Sequence, residues 1–221
     1  MSQTQYERFV ANDPQETSFE MVDGTMFDPL NPDAKLMTID IVATVLSNSC
    51  RFGGHVSSFY CTAQHSVLVA ALAPDDLEVQ RYAILHDADE AFGLPDMLTP
   101  VKKAFPAFRE AQNKIGFEVE KAFDLDPALH DAVKIADRQA LFLERMAVKH
   151  RSQIGRWREW LGNAEEPTGI EVVPLQPEDA RALFIEAYEE VFEYGRPITV
   201  EWLSKRIGFV VDAEHCLEPG Y

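Results

Sequence analysis

Two histidines and two aspartates stand on stretches that otherwise read as apolar helix. His65 lies in "TAQHSVLVAALA", His86 and Asp87 lie side by side in "RYAILHDADEAF", and Asp137 lies in "AVKIADRQALFL". A buried carboxylate beside a buried imidazole costs roughly several kcal/mol unless it is paired or bound to a metal. Two neutral imidazoles and two carboxylates form a mixed nitrogen and oxygen donor set. Such a set suits a divalent transition ion: Mn, Fe, Co, Ni or Zn. Four protein donors still leave positions for water or a substrate oxygen. Adjacent helical residues point about 100° apart, so His86 and Asp87 share an ion only if it sits over the groove between them. Glu90 follows His86 by four residues and so shares its face. Each residue also has an ordinary alternative. A histidine on an apolar helix can be a satisfied core residue, and Asp137 can be the ion-pair partner of Lys134 or Arg138.

The elements that must position these residues are helices. Residues 38–50 have helical spacing with Thr38 as N-cap. Residues 51–60, with their glycine pair, read as a loop. A helix over 62–73 stops at Pro74. Residues 75–92 read as one long helix with acidic residues at its start, as the macrodipole favours. Residues 93–103 read as a loop broken by Gly93, Pro95 and Pro100. Further helices are predicted over 107–123, 127–150, 177–193 and 199–207, with a linker at 162–177 in which Ile170–Val173 could form a short strand. Residues 1–35 read as an arm with a small hairpin turning at Asp23-Gly24. The fold class expected is all-α: one bundle of about seven helices over 36–210, with a β-hairpin and a C-terminal tail at 211–221.

Composition narrows the function classes. The 221 residues suit one domain. The formal charge of −17 repels phosphate backbones, which argues against binding duplex nucleic acid. No apolar run is long enough to span a bilayer, so no membrane role is expected. The first residues lack the layout of a signal peptide, and a cytoplasmic protein is the expectation. Cys50, Cys61 and Cys216 include no CxxC pair and read as reduced thiols. Trp157, Trp160 and Trp202, on amphipathic C-terminal helices, fit either a homo-oligomer interface or core packing.

In order, His65, His86-Asp87 and Asp137 match the H…HD…D metal set of the HD-domain phosphohydrolase superfamily, which the sequence resembles over roughly residues 38–150 and more weakly to about 190. The flanking "RFGGHVSSFYCTAQHS", "LHDADEAFGLPDMLTPVK" and "VKIAD" resemble its bacterial and phage branch of 5'-deoxynucleotidases and deoxynucleoside triphosphohydrolases, including phage dATP triphosphohydrolases. The resemblance implies an HD-type helical domain and a divalent metal (Co, Mn or Zn, with Mg at a second site as an alternative). It implies hydrolysis of a deoxynucleotide. A dATP-preferring dNTP triphosphohydrolase is the main expectation, and a dNMP 5'-deoxynucleotidase and a non-catalytic nucleotide-binding protein are the alternatives. Ala91, where alarmone hydrolases carry a second acid, argues against that branch. By the same resemblance Arg51, Lys102 and Lys134 match phosphate-binding cations, and Glu90 matches an acid that orients the attacking water. Asp96 matches an acid/base residue, with Asp89 as the other candidate. Phe52 is a candidate for stacking on the base.

Overall fold

The computed structural model describes residues 17–207. Residues 1–16 of the predicted arm, the 211–221 tail and Cys216 lie outside the described residues. Thr38 is extended, and its side chain accepts from the Ile41 N–H, starting α1 (Ile39–Asn48) as the sequence predicts. Helix α2 (Thr62–Leu72) is buried at every position from Thr62 to Ala71, because alanines and branched residues cover its whole circumference. It ends where the residue before Pro74 turns extended. Helices α3 (Leu77–Leu85), α6 (His130–Val148) and α8 (Pro177–Phe192) pack around α2, together with α1 and α9 (Val200–Ile207). Helix α4 (Thr99–Ala104) leads into α5 (Pro106–Ala122), and α7 (Ile154–Leu161) packs on α6. The described residues thus form an all-α bundle of nine helices, where the sequence reading gave about seven. None of the described helices is long and apolar enough to cross a membrane.

The predicted hairpin is present. Strands β1 (Phe19–Glu20) and β2 (Met26–Phe27) pair antiparallel, Phe19 opposite Phe27. The Asp23 carboxylate accepts from the Thr25 N–H within the turn. Phe27 is fully buried and packs 5.4 Å from the Phe92 ring. Phe19 lies against Gly93, whose φ of +89° suits glycine. A Cβ there would meet the Phe19 ring at 2.7 Å. The hairpin is therefore seated on the segment that follows His86-Asp87.

Three sequence expectations are corrected. The helix predicted over 75–92 stops at Leu85, and a 3₁₀ turn spans Ala88–Ala91. His86 ends it: its Nδ1 lies 2.7 Å from the Ala83 carbonyl, and the chain continues with tighter bonds from Glu90 N–H to Asp87 O and from Phe92 N–H to Asp89 O. The predicted loop 93–103 contains α4, because Pro100 sits in the first turn, where its missing N–H costs nothing. Helix α7 carries Trp157 and Trp160, which the sequence reading put on an amphipathic helix without giving its bounds. The strand considered for 170–173 does not form. The buried Gln64 amide satisfies that backbone instead, donating to Val173 O at 2.7 Å and accepting from Leu175 N–H at 3.0 Å.

Candidate metal centre

The break at His86 resolves the 100° difficulty. With the helix ended, His86 and Asp87 no longer diverge around one axis, and both turn toward α2 and α6. His65 is fully buried on α2. Its Nε2 lies 3.2 Å from His86 Nε2, 3.3 Å from Asp137 Oδ1 and 3.4 Å from Asp87 Oδ2. Asp87 Oδ2 is also 3.4 Å from His86 Nε2. Donor atoms of His65, His86 and Asp137 all lie within 4.8 Å of one another. Asp137 is not ion-paired with its helix neighbours, since Arg138 bonds Asn163 and Lys134 bonds Asp131.

Hydrogen bonds on the far sides of the rings show what the cluster can hold. His65 Nδ1 lies 2.5 Å from Glu144 Oε1, and His86 Nδ1 faces the Ala83 carbonyl. A proton on each Nδ1 satisfies both acceptors and leaves each Nε2 a bare lone pair. Two bare nitrogens and two carboxylate oxygens then converge, and only a cation or a proton relieves them. Donors about 2.0–2.1 Å from one zinc-like ion at tetrahedral angles lie about 3.3 Å apart, and the four contacts given above, three of them from His65 Nε2, have that spacing. His65, His86 and Asp137 are therefore placed so that they could hold one metal ion, with Asp87 beside both imidazoles. Without the ion, a proton takes its place. Burial and Arg51 oppose charge on His65, but Glu144 and Asp137 outweigh them and push the imidazole up to about 10. Burial works against the Asp137 carboxylate too, but His65 and His86 more than reverse it and hold it well below the usual range.

Glu144 was missed by the sequence reading. It lies seven residues after Asp137, on the same face of α6, and that spacing was the available signal. It is fully buried. Its Oε2 accepts from Arg51 Nε at 3.1 Å. Arg51, 7% exposed, also places a terminal nitrogen 3.4 Å from Asp87 Oδ2. Burial opposes its charge, but Glu144 and Asp87 outweigh that and raise the guanidinium above its ordinary value.

The other candidates divide. Lys102 donates to Glu90 Oε1 at 3.2 Å, while Glu90 Oε2 is buried without a partner among the described residues. Burial, then Asp87, Asp96 and Asp89, push the Glu90 carboxyl well up. Asp96 Oδ2 accepts from the Phe52 N–H at 3.2 Å, so it is held beside Arg51. Asp89 is pushed up to about 7 by burial and Asp87, and it interacts with Gln112 rather than with the cluster. Lys134 is half-exposed, and its ammonium pairs with Asp131 at 2.6 Å, so the structure does not bring it to the cluster. Phe52 is 8% exposed, and cations cover its ring, which leaves no open face for a base. Its φ of +57° is rare for a side chain of that size.

Cys50 and Cys61 are both free thiols. Trp160 is 48% exposed, whereas Trp202 packs against the core. No protein-family model matches the chain. It is 32% identical over 167 residues to YfdR of Escherichia coli (strain K12), a protein named as uncharacterized; the match covers 76% of this chain and 90% of YfdR. On that similarity, the chain belongs to the same family as YfdR.

Proposed function

We propose that this protein is a metal-dependent phosphohydrolase of deoxynucleotides, acting in the cytoplasm. The observation that carries the reading is the meeting of His65, His86, Asp87 and Asp137, with both Nε2 atoms turned inward and Arg51 and Lys102 near by. A divalent ion held by those four residues would supply Lewis acidity to a phosphoryl oxygen and lower the pKa of a water. Arg51, fixed by Glu144 and Asp87, would neutralise charge developing on the phosphoryl oxygens. Lys102 would do the same from the side of Glu90. Glu90 and Asp96 both act on Arg51 and bind neither imidazole. One would orient and deprotonate the attacking water, and the other would protonate the leaving 5'-oxygen. The resemblance to HD-domain enzymes supports a dNTP triphosphohydrolase preferring dATP.

The test is a screen of deoxynucleoside mono-, di- and triphosphates with Mn, Co, Zn and Mg, followed by chromatography of the products. Nucleoside plus triphosphate is the expected result. Asp137→Ala should abolish turnover and metal loading while leaving the helical circular-dichroism signal. Absence of nucleoside release from every substrate with every metal overturns the reading.

A further inference from the structure

The ring of Phe52 carries three cations. The Arg51 guanidinium lies 5.6 Å from its centroid, that of Arg145 5.9 Å, and the Lys149 ammonium 5.3 Å. Arg145 is in the last turn of α6 and Lys149 is its C-cap. Their spacing of four puts them on one face, one residue round from Glu144. Such crowding of like charge stands out in a chain with a formal charge of −17.

The three differ in their counter-charges. Arg51 has Glu144 and Asp87. Among the described residues Arg145 makes no ion pair and donates no side-chain hydrogen bond. Its guanidinium lies only against aromatic faces, those of Phe52, Trp157 at 5.5 Å and Trp160 at 4.3 Å. Lys149 donates to the His55 carbonyl and likewise meets no carboxylate among those residues. Of the other lysines considered for phosphate, Lys102 stands on the Glu90 side of the centre and Lys134 pairs with Asp131 away from it. Burial pulls both Arg145 and Lys149 below their ordinary values, and Arg145 adds to the effect on Lys149. Cation–π contact offsets part of that cost, but it supplies no counter-ion. Glu144 acts on Arg145 from a distance but is bonded to Arg51 and His65, so among the described residues neither cation has a carboxylate in contact; the aromatic faces hold both in place to receive an anion.

We propose that Arg145 and Lys149 seat the terminal phosphates of the nucleotide, which makes a nucleoside triphosphate the preferred substrate of the metal centre. The inference rests on the phosphohydrolase reading. The seat joins the centre through Arg51, which touches the donor Asp87 on one side and the shared Phe52 ring on the other. A polyphosphate whose reacting end lies by Arg51 meets next the other two cations round that ring, Arg145, which offers a planar fork, and Lys149, which offers a point charge.

The experiment compares kcat/KM for dATP and dAMP in the metal-loaded wild type, Arg145→Gln, Lys149→Gln and the double variant. The triphosphate-to-monophosphate ratio should fall roughly 10- to 100-fold in the double variant, mainly through KM, as loss of charge-assisted bonds implies. Arg145→Lys, which keeps the charge, should recover part of it. Arg145 also packs on two tryptophans; if Arg145→Gln does not fold, Lys149→Gln alone carries the test, with a fall of about threefold to tenfold expected. A second measurement, calorimetric binding of inorganic tripolyphosphate to the full chain in EDTA, is independent of turnover. There the double variant should bind at least about tenfold more weakly. If nucleotides are hydrolysed but the ratio does not move, the seat is wrong and the hydrolase reading stands. If nothing is hydrolysed yet tripolyphosphate binding depends on the two cations, the anion seat stands and the hydrolase reading falls. Equal tripolyphosphate binding by wild type and double variant overturns the seat outright.

Discussion

Replacing Glu144 with glutamine preserves the volume of a fully buried side chain and removes its charge. The wild-type carboxylate serves two donors at once, His65 Nδ1 at 2.5 Å and Arg51 Nε at 3.1 Å. Glutamine has one acceptor oxygen for two donors. If the oxygen stays on His65, its NH₂ faces the Arg51 N–H, and a buried cation loses its nearest partner. Removing one member of a buried pair costs about 3–5 kcal/mol. Arg51 keeps Asp87 at 3.4 Å, so a loss of about 2–3 kcal/mol is expected. The effect on the metal is separate. A carboxylate behind a ligating histidine is worth about 10–100-fold in affinity, or about 1.4–2.7 kcal/mol. Calorimetric titration with Mn²⁺ or Co²⁺ reads the second quantity, and urea unfolding in EDTA reads the first. Glu190→Gln is the control: Glu190 is buried and paired with Arg196 at 2.6 Å, outside the cluster, so it should move stability and leave metal affinity alone. Metal affinity within twofold of wild type in Glu144→Gln would refute the claim that the Glu144 charge behind His65 strengthens metal binding.

Gly93→Ala puts a methyl 2.7 Å from the Phe19 ring at a φ of +89°, and a loss of about 2–4 kcal/mol in thermal unfolding is expected. The Cys61 thiol, pushed up to about 11 by burial, should resist Ellman's reagent at pH 8 until the chain unfolds. The unfolded thiol ionises first, so this group's contribution to stability falls as pH rises from about 9 toward 11, which urea midpoints across that range would show. Saturating metal should stabilise the fold by about 2.7 kcal/mol at a hundred times its Kd, and EDTA should reverse the gain, as scanning calorimetry would read.

Much of the helical frame was legible because local chemistry and tertiary need agree. The Thr38 cap, the Pro74 stop and the Asp23-Gly24 turn each work through neighbours in sequence. The gathering of His65, His86, Asp87 and Asp137 was legible for the opposite reason: charge on apolar stretches is a local contradiction that contact with one another relieves. What escaped depends on residues far apart. The apolar pattern of 75–92 does not show its end at Leu85, where His86 takes the Ala83 carbonyl on one side and faces His65, 21 positions back, on the other. Ile170–Val173 has strand-like residues, but its bonds are met by Gln64, over a hundred positions away. Glu144 reads as an ordinary polar position of an amphipathic helix until Arg51 and His65 are seen against it. Lys134 matched a pattern in sequence, and its i,i+3 neighbour Asp131 claims it in the structure.

Helix α2 has no outward side. A mutation almost anywhere along it disturbs the middle of the molecule, so His65 has little freedom to be retuned by its own neighbours in sequence. Change must then fall on the periphery, on the 94–105 segment and on Arg145 and Lys149 at the close of α6, where side chains reach the surface. Divergence among relatives should accordingly concentrate there, around a helix that hardly varies.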